Sequence, residues 1–318
     1  MEFITHHTDS RFLNEQDHQL FAQVVGTPLS RLKAELIKKP QEFLQQVYSN
    51  EKFIESDLNV LGLHVYRSLL SSRIHDGRAA PILPESNIQE QYKKAGYVKI
   101  DSFLDSTSFK DLRRMFDRAS QQTPTEKIPF NDRYSFARHR NIIGLIKDCC
   151  HVTSLSDDAR GGIPRSQFWN LRHCGTDPQY RFHTDTFHPV CKMWIYLDDI
   201  GPDDGPLTLV AGSHLATEKR LKWDYETSLM TRGSALWSRR VQINSKPGAF
   251  RVLEGSTEEE ELQELKRIGY NDIVRLTGAA NTLVIANTHG FHKRGEASPG
   301  TIRQQLTVQY RSKAFGVY

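Results

Sequence analysis

The chain has 318 residues, 38% of them hydrophobic and 25% charged, with a formal charge of +4 and a pI near 8.8. This length suits one large domain with additions, or two small ones. The charge excess is too small to argue for nucleic acid, and no zinc-finger, RNA-recognition or helix-turn-helix signature is present, while mild basicity could favour an anionic substrate by attraction into a cleft.

The four cysteines, Cys149, Cys150, Cys174 and Cys191, form no Cys-x-x-Cys pair. The chain is too long and too cysteine-poor for a disulfide scaffold, so reduced thiols in a cytoplasmic chain are expected. The opening "MEFITHHTDSRFL" lacks the apolar centre of a secretory signal. No apolar run reaches the ~18 residues a spanning helix needs, so no membrane partner is expected.

Residues 1–85 read as helical. In "TPLSRLKAELIKKP", Thr27 is the expected cap and Pro28 the first helical residue. Leu29, Leu32, Leu36 and Ile37 form one apolar stripe, and Pro40 interrupts it. "QEFLQQVYSNEKF" and "LNVLGLHVYRSLLSSRI" continue the helical period, and "DGRAAPILPES" (76–86) reads as a linker. These stripes are read as a helical extension packed on the main domain, which takes residues 86–318.

A short helix then ends near Gly96, "YVKI" is a strand, and Asp105 or Ser106 caps a second helix. From about residue 163 the chain favours strands. "QFWNLR" has strand composition. "CKMWIYLDDI" alternates with period two before the turn "GPDDGP", and "LTLVAGSH" follows, so 190–214 is expected to form a hairpin. "NTLVIANTHGF" and "RQQLTVQYR" supply further strands. One helix interrupts them. "STEEEELQELKRIGY" has Ser256 or Thr257 as cap, glutamates in its first turn, Lys266 and Arg267 in its last, and Gly269 after it. Its acidic run is helix chemistry and receives no further function. Many short strands with Gly/Pro turns suggest a sandwich or barrel.

Chemistry concentrates in "FHTDTFHPV" (182–190). In extended backbone, residues i and i+2 point the same way, so His183 and Asp185 can offer a nitrogen and an oxygen to one ion. Two histidines and a carboxylate on one face of an octahedron make the non-haem Fe(II) oxygenase arrangement. A lone His-x-Asp is weak evidence, and needs a distal histidine and a group that holds a co-substrate. "ANTHGFHKRGEASPGTIRQQLTVQYR" offers His289, His292, Arg294 and Arg303. An arginine fork there can grip a dicarboxylate such as 2-oxoglutarate.

Residues from about 88 to 311 resemble the phytanoyl-CoA dioxygenase-like family of Fe(II)/2-oxoglutarate oxygenases. The resemblance rests on "QYKKAGYVKIDSFLD", on the His-x-Asp in "FHTDTFHP", on "WIYLDDIGPDDGPLTLVAGSH", and on a late histidine followed eleven residues on by an arginine. It implies an α+β fold, mainly β, with a double-stranded β-helix (a jelly roll, cupin-like) and flanking helices. It implies Fe(II), 2-oxoglutarate and O2 as cofactor and co-substrates. His183, Asp185 and His292 become the metal ligands and Arg303 the 2-oxoglutarate arginine. The interval to Arg303 selects His292 over His289, which would stand fourteen residues away. On a strand those two histidines would also face opposite ways. Trp194 and Gln167 match co-substrate contacts. Arg294 stands where the family often has serine, so that contact departs from the pattern. Asp185 keeps the carboxylate ligand, which argues against halogenation.

Other residues take a plainer reading. His188 lies outside the His-x-Asp spacing and is read as a loop or substrate-facing histidine. His214 closes the turn in "AGSH", His139 and His173 are satisfied or surface histidines, and Cys149–Cys150 is buried packing. A segment at about 215–270 is read as a lid or insert, in which Arg232, Arg239 or Arg240 could meet an anionic substrate. Trp223 and Tyr225 there are read first as core. Two other functions stay open at this point: a cupin-like metalloprotein with non-oxidative chemistry, and a non-catalytic binding protein.

Overall fold

The computed structural model describes residues 12–38, 57–77, 87–122, 127–129, 165–172, 178–229, 252 and 257–310. "QEFLQQVYSNEKF", most of the 76–86 linker, Cys149, Cys150, Cys174, His139, His173 and the 230–240 basic stretch lie outside the described residues.

Among the described residues, nine strands form two antiparallel sheets. In chain order they are β1 (Tyr97–Ile100), β2 (Lys127–Pro129), β3 (Arg165–Arg172), β4 (Cys191–Tyr196), β5 (Leu207–Val210), β6 (Ile273–Leu276), β7 (Leu283–Asn287), β8 (His292–Arg294) and β9 (Ile302–Tyr310). The larger sheet has the order β1-β7-β4-β9-β3-β2 and the smaller one β6-β5-β8. This is the expected α+β jelly roll.

The helices are α1 (Glu15–Val25), α2 (Leu29–Lys38), α3 (Leu63–Gly77), α4 (Asn87–Ala95), α5 (Ser106–Gln122), α6 (Glu218–Ser228) and α7 (Glu258–Ile268). None is long and apolar enough to cross a membrane.

The 190–214 hairpin does not form. β4 pairs with β7 and β9, whereas β5 pairs with β6 and β8 in the other sheet. Period-two alternation describes each strand correctly but cannot choose its partner. The ten-residue connection is long enough to carry the chain from one sheet across to the other.

The alternation in β4 sorts its side chains between two environments. Cys191, Met193 and Ile195 pack with Leu306 and Val308 of β9 against Leu112 and Phe116 of α5. Trp194 and Tyr196 face the other way, toward Leu209 and Leu276 of the smaller sheet. The space between the sheets is therefore an inner face, and α4 and α5 cover the outer one.

The N-terminal helices bury Leu29, Leu32 and Leu36 with Phe21, Leu69 and, from the second half of the chain, Ala216 and Leu221. Each such side chain contributes about 1.5–3 kcal/mol. Ile37, expected on the same stripe, is 54% exposed, because the spacing 29–32–36 already fills the buried face. α3 also reaches the His-x-Asp loop, where the Arg67 guanidinium stacks 4.0 Å from the Phe187 ring centre.

The ends at Asp105, Thr257 and Gly269 follow the sequence signals, whereas α2 begins at Leu29, so Pro28 stands before its first residue and the Thr27 hydroxyl does not cap it. Asp105 accepts from the amides of Thr107 and Ser108, both at 2.9 Å. Thr257 and Glu260 form a reciprocal capping box, and Gly269 closes α7 in the left-handed region. α7 is fastened to the strands through its inner side. Glu261 is fully buried and accepts the Phe182 amide at 3.0 Å, and Lys293 reaches Glu258 at 3.0 Å. Burial pushes the Glu261 carboxyl up to about 7, against the downward pull of Lys293 and Arg181.

Gly96 joins α4 to β1 at φ +83°, and a Cβ there would stand 2.5 Å from His214 Nδ1. His214 itself is held by its Nε2–H donating to the Lys93 carbonyl at 3.1 Å, the turn role expected of it. Gly26 also has positive φ, but open space around its Cα. Gly96→Ala should therefore lower stability clearly more than Gly26→Ala, whose backbone penalty alone is about 1–2 kcal/mol. Thermal melts of the two variants compare them.

Glu261 gives a second expectation. A carboxyl whose folded value lies above its unfolded one binds its proton more tightly when folded. That contribution is present at low pH and is lost as pH rises through the window up to about 7. Glu261→Gln keeps an acceptor for the Phe182 amide but cannot ionise. Its stability relative to wild type should rise from about pH 5 to about pH 8, which denaturant titrations across that range would read.

Candidate metal centre

His183 and His292 meet through a backbone bridge. The His183 amide donates to the His292 carbonyl and the His292 amide to the His183 carbonyl, both at 3.0 Å. The bridge sets the two rings 4.4 Å apart, centre to centre. Asp185 is aligned by its amide donating to the Thr288 carbonyl at 3.0 Å. One ligand atom from each of His183, Asp185 and His292 then lies within 4.8 Å of the others, a group that could hold a metal ion.

The donor set fits a metal in its protonation as well as its spacing. His183 Nδ1 is 2.7 Å from the Arg181 carbonyl, and His292 Nδ1 is 2.9 Å from the Gly290 carbonyl. A carbonyl can only accept, so each Nδ1 carries a proton and Nε2 is the nitrogen placed to serve as a ligand. Burial, helped by His183, lowers His292 to about 3, so the imidazole is neutral. Burial alone would raise Asp185, but Lys192, then His292 and His183, hold it well below the usual carboxylate range. Two imidazoles and an ionised carboxylate on one face are the non-haem iron donor set.

The distal ligand is presented by a tight turn. Ser213 Oγ donates to the Val210 carbonyl at 2.7 Å and accepts the Phe291 amide at 2.8 Å. Arg220, buried on α6 and paired with Asp224 at 3.1 Å, donates to the Ser213 and His289 carbonyls. Ser213 of "AGSH" and Arg220 of α6 thus grip the backbone on either side of Gly290. None of these positioning contacts was assigned from the sequence, because they join segments about eighty residues apart.

His289 is not in the ligand group. It lies in the turn between β7 and β8, where its Nδ1–H donates to the Thr186 carbonyl at 2.9 Å. The reason differs from the strand alternation expected, since residues 288–291 are not part of a strand. His188 also stands apart, edge-on to Phe187 with ring centres at 5.2 Å.

Arg303 is buried on β9 and donates to the Gly205 carbonyl. Gln167 and Trp194 both stand opposite Thr307 across β9, so all three share one row of the larger sheet. Arg294 ends β8 opposite Leu207 and is half-buried. Trp223 is core, T-shaped against Phe291, and the Tyr225 hydroxyl donates to the Val60 carbonyl. Arg232, Arg239 and Arg240 lie outside the described residues. Lys192 was missed. Its Nζ is 2.5 Å from Asp185 Oδ2. The available signal was its place two residues before Trp194 on an alternating strand, which puts it on the same inner face.

A family model described as phytanoyl-CoA dioxygenase matches residues 92–257. No curated protein matches the chain. Similar solved structures include EctD from S. alaskensis with bound Fe (14% identity, 73% of this chain and 79% of that one, TM-score 0.46). Another is the non-heme alpha ketoglutarate dependent carbocyclase SnoK from nogalamycin biosynthesis (15%, 73% and 85%, TM-score 0.42). A third is HygX from Streptomyces hygroscopicus with nickel and 2-oxoglutarate bound (13%, 70% and 87%, TM-score 0.40). The family match covers just over half of the 318 residues and includes His183 and Asp185, while His292 and Arg303 lie beyond it. The chain belongs to the phytanoyl-CoA dioxygenase family and is an Fe(II)/2-oxoglutarate-dependent oxygenase.

Proposed function

We propose that His183, Asp185 and His292 hold the iron(II) and that Arg303 receives the far carboxylate of 2-oxoglutarate. The enzyme then oxidises an unactivated C–H bond of a small molecule of the kind met in secondary metabolism, by hydroxylation, desaturation or oxidative cyclisation. The observation that carries this reading is the convergence of the three ligand atoms within 4.8 Å in a protein of this family. Family membership sets aside the two other functions left open by the sequence.

When bound, iron(II) with 2-oxoglutarate and O2 supplies the oxidising power. The residues supply placement and charge. The carbonyls of Arg181 and Gly290 lock both imidazoles with Nε2 toward the centre. Asp185 stays ionised and aligned by the Thr288 carbonyl. Arg303 presents a buried cation anchored by the Gly205 carbonyl, suited to a bidentate grip on a carboxylate. Trp194 and Gln167, in the Thr307 row, are assigned to the walls of the co-substrate site.

The same reading takes residues 1–85 as an extension packed on a catalytic unit of 86–318, with an insert at about 215–270 over the site. Its support is Arg67 against Phe187, and Leu221 of the insert among the N-terminal helices.

Anaerobic Fe(II) plus 2-oxoglutarate should give a visible metal-to-ligand charge-transfer band, with O2-dependent succinate on aeration. Absence of the band together with absence of O2-dependent succinate would sink the reading. Asp185→Ala should weaken Fe(II) binding by at least about tenfold and abolish the band. Arg303→Ala should weaken 2-oxoglutarate by about 2–3 kcal/mol while leaving Fe(II) affinity nearly unchanged. Equal loss of both ligands in titrations of Arg303→Ala contradicts its assignment.

A further inference from the structure

Lys192 is the charged residue of the inner face that the reading above leaves without a task. β4 turns Cys191 and Met193 toward the helices and Lys192 toward the space between the sheets. An ammonium in such a place is costly unless it meets an anion. Its visible partner is Asp185 Oδ2 at 2.5 Å, and that same oxygen is 3.8 Å from His292 Nε2. The carboxylate oxygen facing the lysine is therefore the one that faces the second imidazole. If Asp185 serves as a metal ligand, as proposed, it cannot also be the whole counter-charge of Lys192.

A charge count makes the point sharper. Iron(II) and the doubly negative 2-oxoglutarate cancel. Asp185 cancels one of the two cations, Arg303 and Lys192. One positive charge is left over among these groups. The far carboxylate of 2-oxoglutarate cannot be the missing anion if Arg303 takes it. Lys192 stands opposite Gln309 and Arg303 stands six residues earlier on the same strand, which separates their backbone positions by roughly 20 Å.

We propose that Lys192 anchors a carboxylate of the small-molecule substrate beside the metal centre, so that the enzyme takes carboxylic acids and discriminates against their neutral analogues. This rests on the iron and 2-oxoglutarate assignment above. It adds the chemical class of the substrate and the residue that selects it. A direct ammonium–carboxylate contact of this kind fixes one end of the substrate, so the distance from its carboxylate decides which C–H bond is presented.

The test uses the full chain, loaded anaerobically with Fe(II) and 2-oxoglutarate, and the variants Lys192→Met and Lys192→Arg. The probes are 3-phenylpropionate, octanoate and N-acetylphenylalanine, each against its primary amide. Binding is read by calorimetry and by perturbation of the charge-transfer band. In the wild type at least one acid should bind about tenfold more tightly than its amide. Lys192→Met should bring that acid down to the level of the amide, and Lys192→Arg should retain most of the preference. Lys192→Arg should hold Fe(II) and 2-oxoglutarate within about threefold of wild type, and Lys192→Met, which removes the cation beside Asp185, should still form the charge-transfer band. Absence of any acid preference in the wild type overturns the proposal. So does a Lys192→Met protein that loses 2-oxoglutarate or Fe(II) instead, since the lysine would then serve the co-substrate or the metal. A wild type that forms no charge-transfer band refutes the iron assignment and the lysine proposal with it. That outcome is told apart from failure of the lysine proposal alone because it precedes any probe.

Discussion

Two reciprocal backbone hydrogen bonds between His183 and His292 hold the centre together. They join a loop and a strand more than a hundred residues apart, and they fix the histidines by their main chains rather than by their rings. With the backbone so fixed, the carbonyls of Arg181 and Gly290 need only set the ring tautomers. The carboxylate follows from the same loop, because Asp185 is two residues from His183 and is held by Thr288, just before the turn that leads to His292. Loss of this bridge would separate the ligands however well each remained oriented locally.

Much of the remaining architecture braces that bridge. Phe182 and Phe291, the neighbours of the two histidines, pack with Trp223 of α6 and Leu265 of α7. Glu261 and Glu258 of α7 take the Phe182 amide and the Lys293 ammonium, one contact on each strand of the bridge. Arg220 and Ser213 hold the turn before His292. α3 leans on the His-x-Asp loop through Arg67 and Phe187. The helices that interrupt or precede the jelly roll thus converge on the two segments that carry the ligands.

The inner face of the larger sheet has a gradient of chemistry set by strand register. The row through Lys192 and Gln309 lies at the end where Lys192 meets Asp185. The next row holds Trp194 and Thr307, and the one after it Tyr196 and Gln305. Arg303 stands beyond them, opposite Leu171. Cations at both ends with aromatic and small polar groups between them suit anionic ligands oriented along the strands.

The sequence by itself determined the local elements and offered the candidate ligand types. Helix caps at Asp105 and Thr257, the stop at Gly269, and the alternation of "CKMWIY" are short-range chemistry, legible without a partner. The His-x-Asp pair and the arginine eleven residues after His292 were legible as spacing. Only the tertiary structure decided which strands pair, because alternation is the same whichever sheet a strand joins. It therefore split β4 from β5, where a hairpin was expected. It likewise decided that Ile37 faces outward and that His289 sits in a turn bonded to Thr186. It also brought Lys192 to Asp185, because a lysine in a strand declares its charge but not the face it will share.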